Sequence, residues 1–160
     1  FNEDNEKFDL SFEYMKDLER ISFSSNKNIS VGKYSLQLEF TSTITNDLKG
    51  FYKSQFLDLN DNVKWIATTQ FEPTSARNAF PCWDEPEYKA VFSIALTSDE
   101  KYLRVSNEQV LSEKCLEDGK VETLFVDSIF IYLIIHHKFV YIEMNSFIFL
   151  SKSYFFISSY

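Results

Sequence analysis

An amide and a carboxylate stand two positions apart where an apolar run meets a proline. Val63, Trp65, Ala67, Thr69 and Phe71 fall on one face of an extended strand, and Lys64, Ile66, Thr68, Gln70 and Glu72 fall on the other. Glu72 precedes Pro73, which holds it in extended geometry. Gln70 and Glu72 therefore project from the same side of a strand end, roughly 6–7 Å apart at a strand's rise per residue. So placed, they can hold a small cation such as an amine. On pattern alone, a solvated Glu at the start of a turn is the more ordinary occupant of such a position.

These two residues lie in the densest run of special residues in the chain, Thr68 to Pro86, TTQFEPTSARNAFPCWDEP. After Pro73, Thr74 or Ser75 can cap a short helical turn through Ala76–Phe80, which Pro81 ends. Arg77 is close in sequence to Asp84 and Glu85, and a turn that folds back pairs its guanidinium with one of them. The alternative is an exposed ion pair worth little. Phe80, Trp83 and Tyr88 read as core anchors for an irregular loop. Cys82 has no neighbouring His and no second Cys in the segment, so it reads as a buried, inert thiol rather than a nucleophile or ligand.

Other chemistries are poorly supplied. Both histidines, His136 and His137, are adjacent, so on a strand they point to opposite faces and on a helix about 100° apart. They do not make the i, i+4 pair that grips one metal, and the rest of the chain has no His for a hydrolytic zinc site or a Ser or Cys hydrolase. No catalytic residue and no metal ligand is therefore expected in this chain. A formal charge of −8 on 160 residues disfavours nucleic acid as a partner, since phosphate binding needs a basic face. Only three glycines leave no phosphate-cradling loop. Cys82 and Cys115 make no disulfide framework. Asn28-Ile29-Ser30 matches the N-glycosylation acceptor pattern, a match that chance often supplies. The chain starts at Phe1 without a signal peptide, which suggests a fragment or a sequence lacking its beginning.

The elements that position the stretch are strands. Phe8, Leu10 and Phe12 alternate with polar residues; Leu18–Phe23 is a second candidate. Tyr34, Leu36, Leu38 and Phe40 alternate cleanly, as a half-buried antiparallel strand does. Phe51–Leu57 is followed by the turn signal Asp58–Asn62 and then by Val63–Glu72. Beyond the stretch, Ala90, Phe92, Ile94 and Leu96 alternate, Leu103–Ser106 is short and strand-like, and Asp118-Gly119 signals a hairpin leading into Val121–Phe125. The fold class is mainly β, an antiparallel domain with short turns. From Ser128 the composition shifts to Phe, Ile, Tyr and Ser, with no Gly, Pro, Ala, Arg or Asp. Residues 1–127 read as the domain, and residues 128–160 as an off-pattern tail. The tail suggests translated non-coding sequence; a divergent strand pair or a membrane-associating tail is the alternative. Its apolar runs, Ile129–Ile135, Phe139–Ile142 and Phe147–Leu150, are too short to span a bilayer. Such a tail is β-prone, with few charges, and so an aggregation hazard.

The run TTQFEPTSARNAFPCWDEP closely resembles a signature of zinc metallo-aminopeptidases of the aminopeptidase N and puromycin-sensitive type. The flanks agree: KGFYKS (Lys49–Ser54), YKAVFSIAL (Tyr88–Leu96) and LRVSN (Leu103–Asn107) resemble segments of the same family, and the resemblance runs from about Asp17 to about Val126. It implies an incomplete, saddle-like N-terminal β domain that caps a catalytic domain, here missing. It implies peptide substrates held by their free N-terminal amine, with Glu72 helping to bind that amine and Gln70 lining the first-residue pocket. It implies zinc in the full-length enzyme. The family's Gly-Ala-Met-Glu-Asn and H-E-x-x-H motifs do not occur in this chain, so the chain alone is expected to be inactive and to bind no zinc. Cytoplasmic and membrane-anchored forms are both compatible with the resemblance. The competing reading is a non-catalytic β-sandwich-like binding or structural module.

Overall fold

The computed structural model describes residues 1–2, 6–85, 87–129, 131–132, 140–142 and 151–158, the last three segments as strand backbone. In chain order the strands are β1 (Leu10–Met15), β2 (Arg20–Ser25), β3 (Lys33–Phe40), β4 (Gly50–Leu57), β5 (Val63–Gln70), β6 (Lys89–Ala90), β7 (Ala95–Asp99), β8 (Arg104–Val105), β9 (Val110–Cys115), β10 (Lys120–Phe125), β11 (Ile131–Tyr132), β12 (Val140–Ile142) and β13 (Ser151–Ser158). The strand pairings are antiparallel. The fold is mainly β, as the alternating patterns require, and the helical elements among the described residues are short 3₁₀ turns.

The chain forms two compact units, Phe1–Thr41 with Phe149–Tyr160, and Ser42–Ile148. In the first, β1 and β2 form a hairpin across a 3₁₀ turn at Lys16–Leu18, with Phe12 opposite Phe23 and Tyr14 opposite Ile21. β3 pairs with β13 over its whole length. Phe8 meets Tyr34 edge-on, with ring centroids 5.8 Å apart.

Among the residues whose burial is described, the second unit holds the buried side chains. Its four-stranded sheet has the order β4-β5-β12-β8, and its three-stranded sheet the order β7-β10-β9; β6 pairs with β11. Ala67 and Phe71 from the β5 line, Leu96 from β7, and Val121, Thr123 and Phe125 from β10 are buried. Arg104 ties four strands together. Its Nε donates to Thr123 Oγ1 at 2.7 Å, its Nη1 to Ser98 Oγ at 2.9 Å, and its Nη2 lies 3.6 Å from Glu113 Oε1. Thr123 and Ser98 are buried, and these bonds satisfy their hydroxyls.

Two local expectations need correction, the strand through Ala90–Leu96 and the cap at Ser75, and one strand, β9, was not anticipated. The alternating run Ala90–Leu96 is not one strand; it splits into β6 and β7. Around the gap, Phe125 N donates to Ile94 O and Ser128 N to Phe92 O, while Phe92 N donates to the Ser128 hydroxyl at 2.9 Å. A side chain replaces a backbone acceptor, so the ladder is interrupted although Phe92, Ile94 and Leu96 still alternate in burial with Val91, Ser93 and Ala95. β9 has no apolar alternation, with every residue exposed, and exists as the hairpin partner of β10. Asp118 and Gly119, with φ of 62° and 68°, form the turn between them, as the two-residue signal anticipates. The second correction is the cap: Ser75 stands at the N-cap of the turn Ala76–Asn78 without a side-chain capping bond. Its backbone N–H instead donates to Phe71 O at 2.7 Å, and its carbonyl accepts from Asn78 N.

The tail contributes backbone to three strands, β11, β12 and β13. His136, His137, Lys138 and Glu143 lie outside the described residues, as do Pro86 and most of the tail's apolar runs. Among the described residues, no helix is long and apolar enough to cross a membrane.

Candidate functional site

β5 delivers the candidate residues. Ala67, Thr69 and Phe71 are buried along its inner face, while Gln70 and Glu72 are exposed. The strand's two-residue period puts Gln70 and Glu72 on one side because Phe71 between them is committed to the other. Gln70 is the last residue of β5 and pairs with Gly50 of β4. Glu72 begins the connection, and its peptide bond to Pro73 is cis.

The loop beyond Glu72 is held at two places. Gly50 has φ of +63°, and a β-carbon built on it would lie 2.6 Å from Asn78 Cβ and 2.8 Å from the Asn78 carbonyl carbon. The 3₁₀ turn thus sits directly on the first residue of β4, which only a glycine permits. The second hold is the Arg77–Asp84 pair. Asp84 Oδ2 accepts from Arg77 Nε at 3.0 Å and from Arg77 backbone N–H at 3.1 Å, and Arg77 Nη2 donates to Asp84 O at 3.2 Å. Asp84 is only 2% exposed in its side chain, against 31% for Arg77. The carboxylate chosen is Asp84 rather than Glu85, and the pair is not the exposed one that sequence alone leaves open. Asp84 Oδ1 is buried without a hydrogen-bond partner among the described residues.

Phe80 packs edge-on against Phe71, with centroids 5.9 Å apart, and so acts as the anchor expected of it. Trp83 and Tyr88 do not: they are 46% and 48% exposed. Asp84 is the buried residue of this stretch, while its neighbour Trp83 is exposed. Cys82 is half-buried. Burial first, then the Asp84 carboxylate, push its thiol up to about 12, while Arg77 pulls the other way. At neutral pH it is protonated, which makes it a poor nucleophile.

Sequence reasoning missed Gly50 and Asn78. The glycine is visible in the sequence, but its close approach to a turn far along the chain is not. It also missed a polar cavity of about 250 Å³ beside them, lined by Ser42, Thr43, Thr45, Asp47, Lys49, Phe51 and Asn78. Among the described residues, no three His, Cys, Asp or Glu side chains gather as a metal-binding group.

The site is thus an exposed Gln70 at the end of β5 and an exposed Glu72 at the start of a pinned loop, and comparison with known proteins shows the class of domain that carries it. The profile of the Peptidase M1 N-terminal domain matches residues 2–131. The chain belongs to that family: it is the N-terminal, mainly β domain of M1 aminopeptidases. It is 45% identical over 95 residues to Aminopeptidase 2, mitochondrial, of Saccharomyces cerevisiae, covering 59% of this chain and 10% of that protein. It is 44% identical over 88 residues to the Puromycin-sensitive aminopeptidase of Caenorhabditis elegans, covering 55% of this chain and 9% of that protein. It is 36% identical over 123 residues to Aminopeptidase M1-A of Oryza sativa subsp. japonica, covering 74% of this chain and 14% of that protein. The chain therefore spans about a tenth of the length of the curated relatives it matches.

Proposed function

We propose that this chain is the substrate-binding N-terminal part of a zinc-dependent aminopeptidase that removes N-terminal residues from peptides. In this proposal Glu72 receives the free α-ammonium of the peptide, and Gln70 beside it lines the pocket for the first residue. The observation that carries the reading is the exposed Gln70 and Glu72 on either side of the buried Phe71, at the end of a strand whose adjoining loop is pinned. Two side chains fixed relative to one sheet can position a charged end group without losing much freedom on binding. A carboxylate that accepts from an ammonium supplies about 1.5–3 kcal/mol.

The described residues do not form a zinc site, so the metal and the hydrolytic step belong in this proposal to the catalytic portion of a full-length enzyme. The chain's own partners are then the peptide's amino end and that portion, and the chain alone is inactive. Residues 1–127 are the domain and residues 128–160 a tail, proposed to be translated non-coding sequence. Sequencing the transcript across the codons for Val126–Ser128 tests this: a frame that continues into Gly-Ala-Met-Glu-Asn and H-E-x-x-H supports it, and a transcript that runs through to Tyr160 and stops refutes it.

The functional test is Glu72→Ala in a full-length enzyme carrying this domain. Loss of the ammonium contact lowers kcat/KM for aminoacyl anilides about 10–100-fold, at about 1.4 kcal/mol per tenfold. An N-acetylated substrate, which lacks the ammonium, should be turned over no better by the parent than by the variant. Unchanged kinetics toward the free-amine substrate would return Gln70 and Glu72 to the status of surface residues on a structural β module.

A further inference from the structure

The loop between β2 and β3 carries the chain's one Asn-x-Ser/Thr sequence, Asn28-Ile29-Ser30, with no proline at the middle or next position. β2 ends at Ser25 and β3 begins at Lys33, so all three residues lie outside the strand ladders. All three are exposed. The loop is tied at both ends and open in the middle. At its start Lys27 N donates to Ser25 Oγ at 3.1 Å, and at its end the Tyr34 hydroxyl donates to Ser30 O at 2.8 Å. Among the described residues the Asn28 carboxamide makes no hydrogen bond. Ile29 is 51% exposed and Val31 is 89% exposed, an apolar pair on either side of the serine that no packing explains.

We propose that Asn28 is an N-glycosylation site. The donor is an oligosaccharide on a polyprenyl diphosphate. The Asn28 Nδ2–C1 bond forms as the bond from C1 to the diphosphate oxygen breaks; the lipid diphosphate leaves, and the amide nitrogen gives up one proton. The Ser30 hydroxyl supplies the hydrogen-bonding group that the acceptor sequence requires. A glycan here is compatible with the finished fold, because it projects from a loop tip and buries no backbone group. It also shields Ile29 and Val31 from water and from other chains. The inference does not depend on the peptidase reading, since it concerns the other compact unit and needs no substrate.

The test starts with the protein purified from its own cells. Cleavage after Lys27 and Lys33 frees residues 28–33 as one peptide. N-glycosidase treatment in heavy-oxygen water should convert Asn28 to a labelled acid, read by mass spectrometry. Recovery of this peptide only with an intact amide, before and after treatment, overturns the proposal. In a second arm, the chain is translated behind a secretory leader in the presence of microsomes, where folding of a variant does not limit the transfer. The product should gain the mass of a single glycan, lose it with endoglycosidase, lack it in Asn28→Gln and Ser30→Ala, and keep it in Ser30→Thr. A mass gain that survives in Asn28→Gln, or no gain in the parent sequence, refutes the site.

Discussion

Replacing Gly50 by Ala probes the contact on which the site loop rests, and Gly119 provides an internal control. Both glycines have positive φ, +63° and +68°. A side chain in that region costs about 1–2 kcal/mol at either position. The two surroundings differ. At Gly119 a β-carbon meets nothing within 4 Å, whereas at Gly50 it lies 2.6 Å from Asn78 Cβ, 2.8 Å from the Asn78 carbonyl carbon and 3.1 Å from Ala79 N. These are not the movable ends of a long side chain, so the turn itself must shift, at a further cost of about 1–3 kcal/mol by comparison with overpacked cores. Gly119→Ala should therefore lose about 1–2 kcal/mol, and Gly50→Ala about 2–5 kcal/mol. Urea unfolding followed by tryptophan fluorescence measures both, and hydrogen exchange should show lost protection at Asn78 and Ala79 in the Gly50 variant alone. Equal losses in the two variants would refute the claim that the turn is pressed onto β4.

Asp84→Ala should destabilise the domain by about 3 kcal/mol, the lower end for breaking a buried pair, because the Arg77 left behind is 31% exposed and water can reach it; a loss below about 1 kcal/mol in urea unfolding would place the pair with ordinary surface bridges. Gly50→Ala and Asp84→Ala both release the turn at Ala76–Asn78, so the double variant should fall short of the summed losses by about 0.5–3 kcal/mol, and strict additivity would show that the two holds act independently. For Cys82 the folded thiol is raised from an ordinary 9.0 to about 12, so the native state keeps a proton that the unfolded chain releases. Stability is then full below pH 9 and falls as pH rises toward 12, and Cys82→Ala should flatten that limb of the unfolding profile; identical slopes would remove the effect. The same burial predicts that iodoacetamide labels the exposed Cys115 well before Cys82 in the native protein.

The strands were legible wherever one face is apolar. β3, β5 and β10 follow the two-residue alternation, most cleanly in β10, where Val121, Thr123 and Phe125 are buried, while β4 was placed by its apolar ends and the turn signal after it rather than by alternation in burial. β9 was not legible, since all its side chains are exposed and its pairing comes from the Asp118-Gly119 turn and from β10. The interruption between β6 and β7 was hidden for a different reason. The alternation of Phe92, Ile94 and Leu96 reports which side chains face inward, but the ladder breaks where the Ser128 hydroxyl takes a backbone donor, and no periodicity encodes that. At the site, Arg77 and Asp84 could be paired from their spacing, but not buried from it. Phe71, Ala76 and Ala79 of the same loop are buried as well, which the spacing of charges does not encode. Trp83 shows the converse error: a large aromatic in a dense motif invites an inward reading, yet the buried residue here is its neighbour Asp84, which the Arg77 pair holds inside.

The two holds on the loop constrain the backbone from which the exposed Gln70 and Glu72 project. An exposed side chain at a strand end ordinarily gains little from the fold beneath it. Here the backbone on both sides of the pair is constrained. Gln70 is paired with Gly50, and Gly50 carries the turn at Ala76–Asn78 on its open α-carbon. Phe71 sends its ring inward against Phe80, and its carbonyl accepts from Ser75 N–H. The far end of the loop returns through Arg77 to Asp84. Glu72 is therefore the exposed point of a closed circuit that runs from β4 through the turn and back to β5. A glycine without a β-carbon and a buried carboxylate constrain the loop that begins at Glu72. Substitutions at Gly50 or Asp84 should accordingly reach the site through the loop, while leaving Gln70 and Glu72 chemically intact.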